Sequence, residues 1–234
     1  MNIFRLLGDL SHLSSILILL HKILTSRSCR GISFKTQMLY FIVFVTRYIN
    51  LFHPLSAYLI LMKIFFIGST GYILYLIKVQ YKTRHEADID SIRLEWLLGG
   101  PAILALLFHY DFSFKEILWA YSIFLEAVAI LPQMFLLQRL GEAETITTHY
   151  IFALGAYRAL YILNWIYRYV SSRVAANASL IFEPKHHFDY IAFVAGLIQT
   201  GLYGDFFYST LSEIDTQSIS PKSSKAKNSN CPHK

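Results

Sequence analysis

Charged residues are scarce in this chain of 234 residues. Asp, Glu, Lys and Arg make up 15% of it, whereas a soluble domain has about 25%. Hydrophobic residues account for 55% and the mean hydropathy is +0.43, so the composition predicts an all-α integral membrane protein with little soluble mass. Cysteine is equally rare. Cys29 and Cys231 both fall in predicted polar connections, and this argues against a disulfide framework.

Motifs for the common catalytic chemistries are also missing. The sequence has no Gly-rich phosphate loop, no zinc-ligand spacing and no nucleophile elbow. Paired carboxylates or a Ser/Lys dyad at one membrane depth are missing too. We therefore predict that the chain is not an enzyme and that it uses no metal, no cofactor and no nucleic-acid partner. We also expect no cleavable signal peptide, because the first apolar run has no basic segment before it and continues as a full span.

Long apolar runs dominate what is present. A membrane span needs about 20 apolar residues, and this rule gives about seven transmembrane helices. The candidate spans are 3–23, 36–53, 55–79, 93–109, 113–138, 146–170 and 188–211. The sixth is the most polar, and periodicity alone leaves its status open. Residues 1–213 then form one transmembrane domain, and the Ser- and Lys-rich segment 214–234 is predicted to be a flexible cytosolic tail.

Basic residues lie mostly on one side of these predicted spans. They flank the first and third connections, follow the fifth span and recur in the tail, at Lys22, Arg27, Arg30, Lys35, Lys78, Lys82, Arg84, Arg93, Arg139, Lys222, Lys225, Lys227 and Lys234. Cytosolic loops carry the excess of Lys and Arg in membrane proteins. The pattern therefore predicts a cytosolic C-terminus and an N-terminus in the lumen or exterior.

Four arginines lie inside predicted spans, namely Arg5, Arg47, Arg158 and Arg168. A charge at the bilayer centre costs roughly 2.5–3.5 kcal/mol on insertion scales. Polar groups between membrane helices often bond only to one another, and for a single arginine this structural explanation competes with a functional one. Four arginines with few acids nearby instead predict a polar cavity, open to the lumen, for a small polyanion.

Other polar residues share helix faces with these arginines. Arg5, Asp9 and His12 have i, i+4, i+7 spacing, and a second face combines Tyr157, Tyr161, Asn164 and Arg168, with Arg158 and Trp165 beside it. An anion that enters such a cavity favours protonation of His12, which would couple binding to acidic pH; a plain interhelical hydrogen bond is the alternative for this histidine. Lys63 and Glu126 are two further buried charges that can pair with each other, and we assign them no ligand role.

Several long stretches carry a resemblance to a known family. They are MNIFRLLGDLSHL, TRYINLF, EILWAYSIFLEAVAILPQMF, GEAETITTHYIFALGAYRALYILNWIYR and DFFY. Over nearly residues 1–212 the chain resembles the KDEL receptors, the retaining receptors for proteins of the endoplasmic reticulum (ER) lumen. The resemblance implies a SWEET/PQ-loop-like fold, in which two parallel three-helix bundles are joined by a linking helix. In such folds the site lies at the interface of the repeats. The resemblance also implies that the sixth segment, 146–170, spans the membrane.

The resemblance implies a function as well. This family resides in ER and Golgi membranes, binds the C-terminal Lys/His-Asp-Glu-Leu signal of escaped ER proteins, and returns them in COPI vesicles. By resemblance Arg47 takes the terminal carboxylate, while Arg5 and Arg168 hold the acidic side chains. Glu116 meets the basic first residue of the signal. Trp119 and Trp165 are implied to pack against the signal, and Asn164 lies on the ligand face. His12, in contact with Tyr157, is implied to be the pH sensor. Arg158 and the ligand-face residue Tyr161 are implied to form the lock that closes on the ligand.

Two departures qualify this resemblance, one at position 50 and one in the connection at 171–187. Asn50 stands where many family members have Asp, so the preference between KDEL, HDEL and other signals stays open. The connection at 171–187 is longer than usual and contains the sequon Asn177-Ala178-Ser179. In the tail, Lys222, Lys225 and Lys227 are expected to bind the COPI coat, with Asp205 in the relay; lysines that only enforce topology are the alternative.

A transporter of a small anionic solute is the competing interpretation, because the implied fold is shared with transporters. A transporter must expose its site to both sides of the membrane. The predicted charged face opens only to the lumen, and an uptake assay in proteoliposomes would separate the two functions.

Overall fold

The computed structural model describes residues 2–49, 57–81, 92–140, 145–178 and 189–219, and within these ranges every regular element is helical. The helices are α1 (Ile3–Ser26), α2 (Phe34–Arg47), α3 (Ala57–Tyr75), α4 (Leu94–Leu107), α5 (Phe114–Val128), α6 (Leu131–Leu140), α7 (Thr145–Ala178) and α8 (Tyr190–Ile219). A short π-helical turn, Leu76–Gln80, extends α3. The expected all-α fold is confirmed for the part of the chain that is described.

Three stretches are long and apolar enough to cross a membrane by length and composition. They are Ile3–Ser26, Ala57–Gln80 and Phe114–Leu140, and Leu94–Leu107 is a shorter apolar helix. Large apolar side chains also cover the outer helix faces: Leu61, Ile103, Leu107 and Phe152 each leave more than 60% of their surface exposed. Such a surface marks contact with another apolar phase, which agrees with a membrane protein.

Short polar residues begin three of the helices. The side chains of Asn2, Ser33 and Ser113 accept hydrogen bonds from backbone N–H groups in the first turns of α1, α2 and α5, at 2.9, 3.2 and 3.3 Å. An N-cap of this kind satisfies a backbone donor that has no partner within the helix. These caps set the starts of the helices that carry Arg5, Arg47 and Glu116.

The predicted fifth span is two helices in the structure. It is interrupted at Ala129–Ile130, just before Pro132, whose missing N–H and bulky ring disfavour the preceding helical turn. Gln133 then ties α6 to the α1–α2 connection: its side chain accepts from the Ser33 N–H at 2.8 Å and donates to the Gly31 carbonyl at 2.7 Å. Its own N–H donates to Thr36 Oγ1 at 3.0 Å. The two chain segments are therefore joined at this end of the bundle.

Helix packing places a cavity at the opposite end. α1 packs along α7, α2 lies against α3 and α5, and α8 packs on both α7 and α5. The buried core between them includes Leu19, Leu39, Leu125, Ile130 and Ile151, each at most 1% exposed. Towards the beginnings of α1, α5 and α8 this apolar core gives way to charged and aromatic side chains.

Several boundaries differ from the prediction. α2 ends at Arg47, earlier than the predicted span 36–53, with Tyr48 leaving the helical conformation. α7 continues to Ala178 and therefore includes the backbone of Asn177, which we predicted to lie in a loop. α8 continues to Ile219, past the predicted domain boundary at 213, because Pro221 is the first helix-breaking residue there. The predictions for Asn50 and for Lys222, Lys225 and Lys227 lie outside the described residues.

Candidate functional site

A cavity of about 590 Å³ lies between α1, α2, α3, α5, α7 and α8. This volume is in the usual range for small-ligand sites, about 300–1,000 Å³. Its lining is unusually charged for a helix bundle in a membrane. The charged side chains on its wall are Arg5, Arg47, Lys63 and Arg158 on the cationic side and Asp9, Glu126 and Asp189 on the acidic side. His12 also lines it. The cavity therefore has more fixed cations than carboxylates.

Glu126 is the centre of the buried charge network. Its Oε2 lies 2.5 Å from Arg47 NH1 and 2.7 Å from Arg158 NH2, and the Tyr157 hydroxyl donates a hydrogen bond to Oε1. Glu126 therefore pairs with two arginines. We expected few acids near the four arginines, and Glu126 is one such acid, shared by Arg47 and Arg158.

Arg47 is anchored on α5 at a second point. Its Nε and NH2 donate to the side-chain and backbone oxygens of Ser122, each at 3.1 Å. Ser122 and Glu126 are one turn apart on α5, so the guanidinium lies flat along that helix. The side chain remains 18% exposed. Arg47 lines the cavity, so a ligand can reach it without breaking the fold.

Arg158 is the deeper of the two arginines. It is 3% exposed, its Nε donates to Gln199 Oε1 on α8, and its guanidinium carbon lies 5.4 Å from the centre of the Tyr157 ring. Together with Glu126 it links α5, α7 and α8. A change in the Glu126 ion pairs would therefore alter the contacts among all three helices.

Asp9 organises the wall near the start of α1. It accepts hydrogen bonds from the hydroxyls of Tyr58, at 3.0 Å, and Tyr161. Arg5 lies one turn away and also lines the cavity; within the described residues its guanidinium has no ion-pair partner. Across the cavity Lys63 Nζ lies 5.9 Å from the centre of the Tyr48 ring. Arg5 and Lys63 thus both place positive charge on the cavity wall.

His12 lies at the inner end of the cavity. Its ring stacks on Tyr157, with centroids 4.2 Å apart and an interplanar angle of 6°. Phe66 and Phe44 contact it at 4.7 and 5.6 Å, and only 8% of the residue is exposed. The stacked Tyr157 bonds to Glu126. A movement of His12 would therefore disturb the ion-pair network directly.

An aromatic wall, formed by Trp119, Tyr161 and Trp165, closes one side of the cavity. The Tyr161 and Trp165 rings meet edge to face at 6.1 Å. Trp165 in turn packs on Phe193 of α8 at 6.4 Å. Such edge contacts add to the burial energy of the rings, and they give the wall a defined position.

Three of the predicted ligand residues do not line the cavity. Asn164 is 3% exposed and accepts a hydrogen bond from Asn2 at 2.8 Å, which joins α7 to the start of α1. Glu116 and Arg168 lie outside the cavity, in the region of Asp189. Asp189, the residue just before α8, accepts hydrogen bonds from the Tyr110 hydroxyl at 3.3 Å and from the Ala192 N–H at 3.0 Å. Asp205 is exposed on α8, far along the chain from this end.

Sequence reasoning missed two of the charged residues on the cavity wall, Glu126 and Lys63. One signal for Glu126 was available, because Trp119, Ser122 and Glu126 have i, i+3, i+7 spacing and share one face of α5. For Lys63 the sequence offers no comparable pattern, since its neighbours on α3 are apolar. Among the described residues no group of three or more His, Cys, Asp or Glu side chains could hold a metal ion. The arrangement is suited to binding an anionic ligand.

Comparison with known proteins gives the family that this chain resembles. The family model described as ER lumen protein retaining receptor matches residues 28–168. The chain is 48% identical over 215 residues to the ER lumen protein-retaining receptor of Drosophila melanogaster, covering 92% of this chain and 95% of that protein. It is 51% identical over 215 residues to the Saccharomyces cerevisiae protein of the same name, covering 89% and 93%. With ER lumen protein-retaining receptor 2 of Gallus gallus the identity is 50% over 215 residues, covering 92% and 95%.

Proposed function

Since the chain belongs to the family of ER lumen protein-retaining receptors, we propose that it binds the C-terminal K/HDEL-type signals of escaped ER proteins. Binding takes place in the Golgi, and the complex returns to the ER in COPI vesicles. The observation that carries this proposal is the cavity in which Arg5, Arg47 and Lys63 present positive charge to a ligand. The chain acts as a receptor and catalyses no reaction.

The chemistry of the signal suits this cavity. A peptide that ends in Asp-Glu-Leu carries two acidic side chains and a terminal carboxylate. Arginine binds a carboxylate through two parallel N–H bonds, which gives geometry as well as charge. In our proposal Arg47 binds the terminal carboxylate and Arg5 holds one acidic side chain. Lys63 provides a third cation near Tyr48.

The mouth of the cavity would contact the earlier residues of the signal. Glu116 lies there near Asp111 and Asp189, so the mouth is acidic, and an acidic mouth favours a basic first residue such as Lys or His. Arg168 lies near Asp189 and would meet an acidic side chain as the peptide enters. Trp119 and Trp165 would pack against the peptide between mouth and interior.

We further propose seven transmembrane helices in a SWEET/PQ-loop-like arrangement, with α5 and α6 forming one span. α7 and α8 have 34 and 30 residues, and about 20 helical residues cross the hydrocarbon core. The N-terminus and the cavity face the lumen of the ER and Golgi, and the C-terminus faces the cytosol. The Gln133 hydrogen bonds at the other end support a cavity open to one side only, as a receptor requires and an alternating-access transporter does not.

The proposed pH sensor is His12. It stacks on Tyr157, and the groups that face it from neighbouring helices are Glu126, Arg158 and Arg47. A proton on His12 adds positive charge beside the ligand, so anionic signals should bind more tightly at the acidic pH of the Golgi than at the neutral pH of the ER. Arg158 and Tyr161 would act as the lock, because their bonds to Glu126 and Asp9 connect α7 to α5 and α1.

The cytosolic step is proposed for the tail. Lys222, Lys225 and Lys227 would bind the COPI coat once ligand binding shifts α7 and α8, with Asp205 between the two ends. Replacing the three lysines with serine should leave peptide binding unchanged but hold the protein in the Golgi, as seen by microscopy. Return of this variant to the ER on overproduction of HDEL cargo would exclude the lysines as the retrieval signal.

The direct test of the proposed function is binding of a fluorescent peptide ending in His-Asp-Glu-Leu to the purified protein. A peptide with the same residues in scrambled order is the control, because it has equal charge. Saturable binding of the first peptide only is the expected result. Equal binding of both peptides would mean that the cavity attracts anions without recognising the signal.

A further inference from the structure

Two glycines stand behind the aromatic wall of the cavity. Gly196 on α8 lies against Trp165: a Cβ at this position would be 2.8 Å from Cζ3 and 3.4 Å from Cη2 of the indole. Gly8 on α1 lies against Tyr161, where a Cβ would be 2.8 Å from Cδ2 and 2.9 Å from Cε2 of the ring. Contacts this short leave no room for a methyl group.

These glycines differ from the other described glycines. For Gly201 and Gly204 of α8, the described residues place nothing within 4 Å of an added Cβ, and at Gly155 and Gly71 the nearest atoms would be 3.3 and 3.4 Å away. Among the described glycines, only the two that back the cavity wall would bring a Cβ within 3.0 Å of a neighbouring side chain. At both positions the missing side chain lets an aromatic ring of α7 lie directly on a neighbouring helix.

We propose that Gly196 and Gly8 are positioning residues that hold Trp165 and Tyr161 back from the ligand cavity and so set its width. This inference rests on the proposed function, because the width matters only if the cavity receives a peptide.

The surroundings of Trp165 determine where the ring would go if Gly196 carried a side chain. Tyr161 and Phe193 flank the indole on two sides, and Ile162 lies near the same glycine, with Cγ1 3.6 Å from the added Cβ. The open side is the cavity that Trp165 lines. A methyl group at position 196 would therefore push the indole into the space that the peptide occupies.

Gly8 allows the Tyr161 ring to pack directly against α1. The Tyr161 hydroxyl donates to Asp9, the residue that follows Gly8. A methyl group at position 8 would force the ring away from α1 and stretch or break this hydrogen bond. Tyr161 would then project into the cavity, and Asp9 would keep Tyr58 as a donor.

The first experiment needs no ligand. The chain has three tryptophans, Trp96, Trp119 and Trp165, and replacing the first two with Phe leaves Trp165 as the reporter. In this background Gly196→Ala should increase acrylamide quenching of Trp165 and shift its emission to longer wavelength, because the indole moves into the cavity, where solvent and quencher can reach it. Gly201→Ala is the matched control and should change neither signal. Identical quenching of the two variants would overturn the proposal.

The second experiment measures a peptide ending in His-Asp-Glu-Leu by fluorescence anisotropy. Gly196→Ala should weaken binding roughly tenfold, the order expected when a tight contact is overpacked. Phe lacks the outer ring atoms Cζ3 and Cη2, so in a Trp165→Phe background the same Gly196→Ala change should alter affinity by less than about twofold. An equal loss in both backgrounds would show that the Gly196–Trp165 contact is not responsible.

The design separates this inference from the proposed function. If the wild-type protein binds no peptide, the proposed function fails, and the quenching experiment still decides whether Gly196 positions Trp165. If Gly196→Ala cannot be obtained folded, the Trp165→Phe and Gly196→Ala/Trp165→Phe pair decides instead. Equal peptide affinity of this pair supports the proposal, and weaker binding by the double variant overturns it.

Discussion

Amidation of the peptide C-terminus gives a sharp test of how Arg47 is used. A guanidinium has five N–H groups. In the structure Arg47 uses two of them on Ser122 and one on Glu126. One N–H on each terminal nitrogen is left, and in our proposal these two bind the two oxygens of the terminal carboxylate.

An amide at the peptide C-terminus removes the negative charge and replaces one of these oxygens with a donor. A hydrogen bond to a charged group contributes about 1.5–3 kcal/mol, so amidation should weaken binding by a factor of about 10–150. Anisotropy of a labelled HDEL-ending peptide, displaced by free-acid or amidated competitor, measures this ratio. Equal affinity of the two competitors would refute carboxylate recognition.

Two variants identify the cation responsible. In Arg47→Gln the ratio between free-acid and amidated peptide should fall close to one, because the partner of the carboxylate is missing. In Lys63→Met the ratio should persist even if both affinities fall. A ratio that survives Arg47→Gln and disappears in Lys63→Met would assign the terminal carboxylate to Lys63, contrary to our account.

Three further predictions follow from the site. Peptide binding should be tighter below about pH 6.5, the ordinary pKa of histidine, and His12→Ala should lose both affinity and pH dependence in an anisotropy titration; full pH dependence in this variant would place the sensor elsewhere. Asn50→Asp should raise the preference for signals that begin with Lys or His over Asp across a peptide panel, since it adds a negative charge; an unchanged ranking would contradict the role of position 50. A cysteine replacing Asn177 should react with an impermeant maleimide only from the luminal side, and labelling only from the cytosol would overturn the proposed topology.

The helices could be predicted well because their cause is local. Apolar runs of sufficient length identify the segments that became α1, α3 and the α5–α6 pair, and Pro132 predicts an interruption for a reason contained in one residue. Boundaries were less accurate. α8 continues through residues that read as tail, because polar residues such as Ser212 and Gln217 do not by themselves break a helix.

The candidate site was predicted as a set of residue types, whereas its pairings were not. The shared face of Arg5, Asp9 and His12 follows from helical periodicity. The pairings depend on how α1, α2, α5 and α7 are rotated against one another. Examples are the contacts of Glu126 with Arg47 and Arg158, and the hydrogen bond between Asn2 and Asn164. Rotation is set by packing across the whole bundle, and a single sequence does not report it.

The buried carboxylate of Glu126 has a consequence for any ligand. Glu126 already offsets part of the positive charge of Arg47 and Arg158 in this structure, and a peptide carboxylate at Arg47 adds a second negative charge close to it. Like charges at this distance repel strongly in a desolvated site. Protonation of His12, which stacks on the Tyr157 that bonds Glu126, would offset this repulsion, and this links the pH sensor to the carboxylate subsite in physical terms.

The central claim is that the cationic cavity recognises the retrieval signal in a pH-dependent manner. The measurement that tests it most directly is the affinity of the purified wild-type protein for one HDEL-ending peptide at acidic and at neutral pH. The account predicts saturable binding that is clearly tighter at acidic pH. Absence of binding at both pH values, or equal affinity at the two, would contradict it.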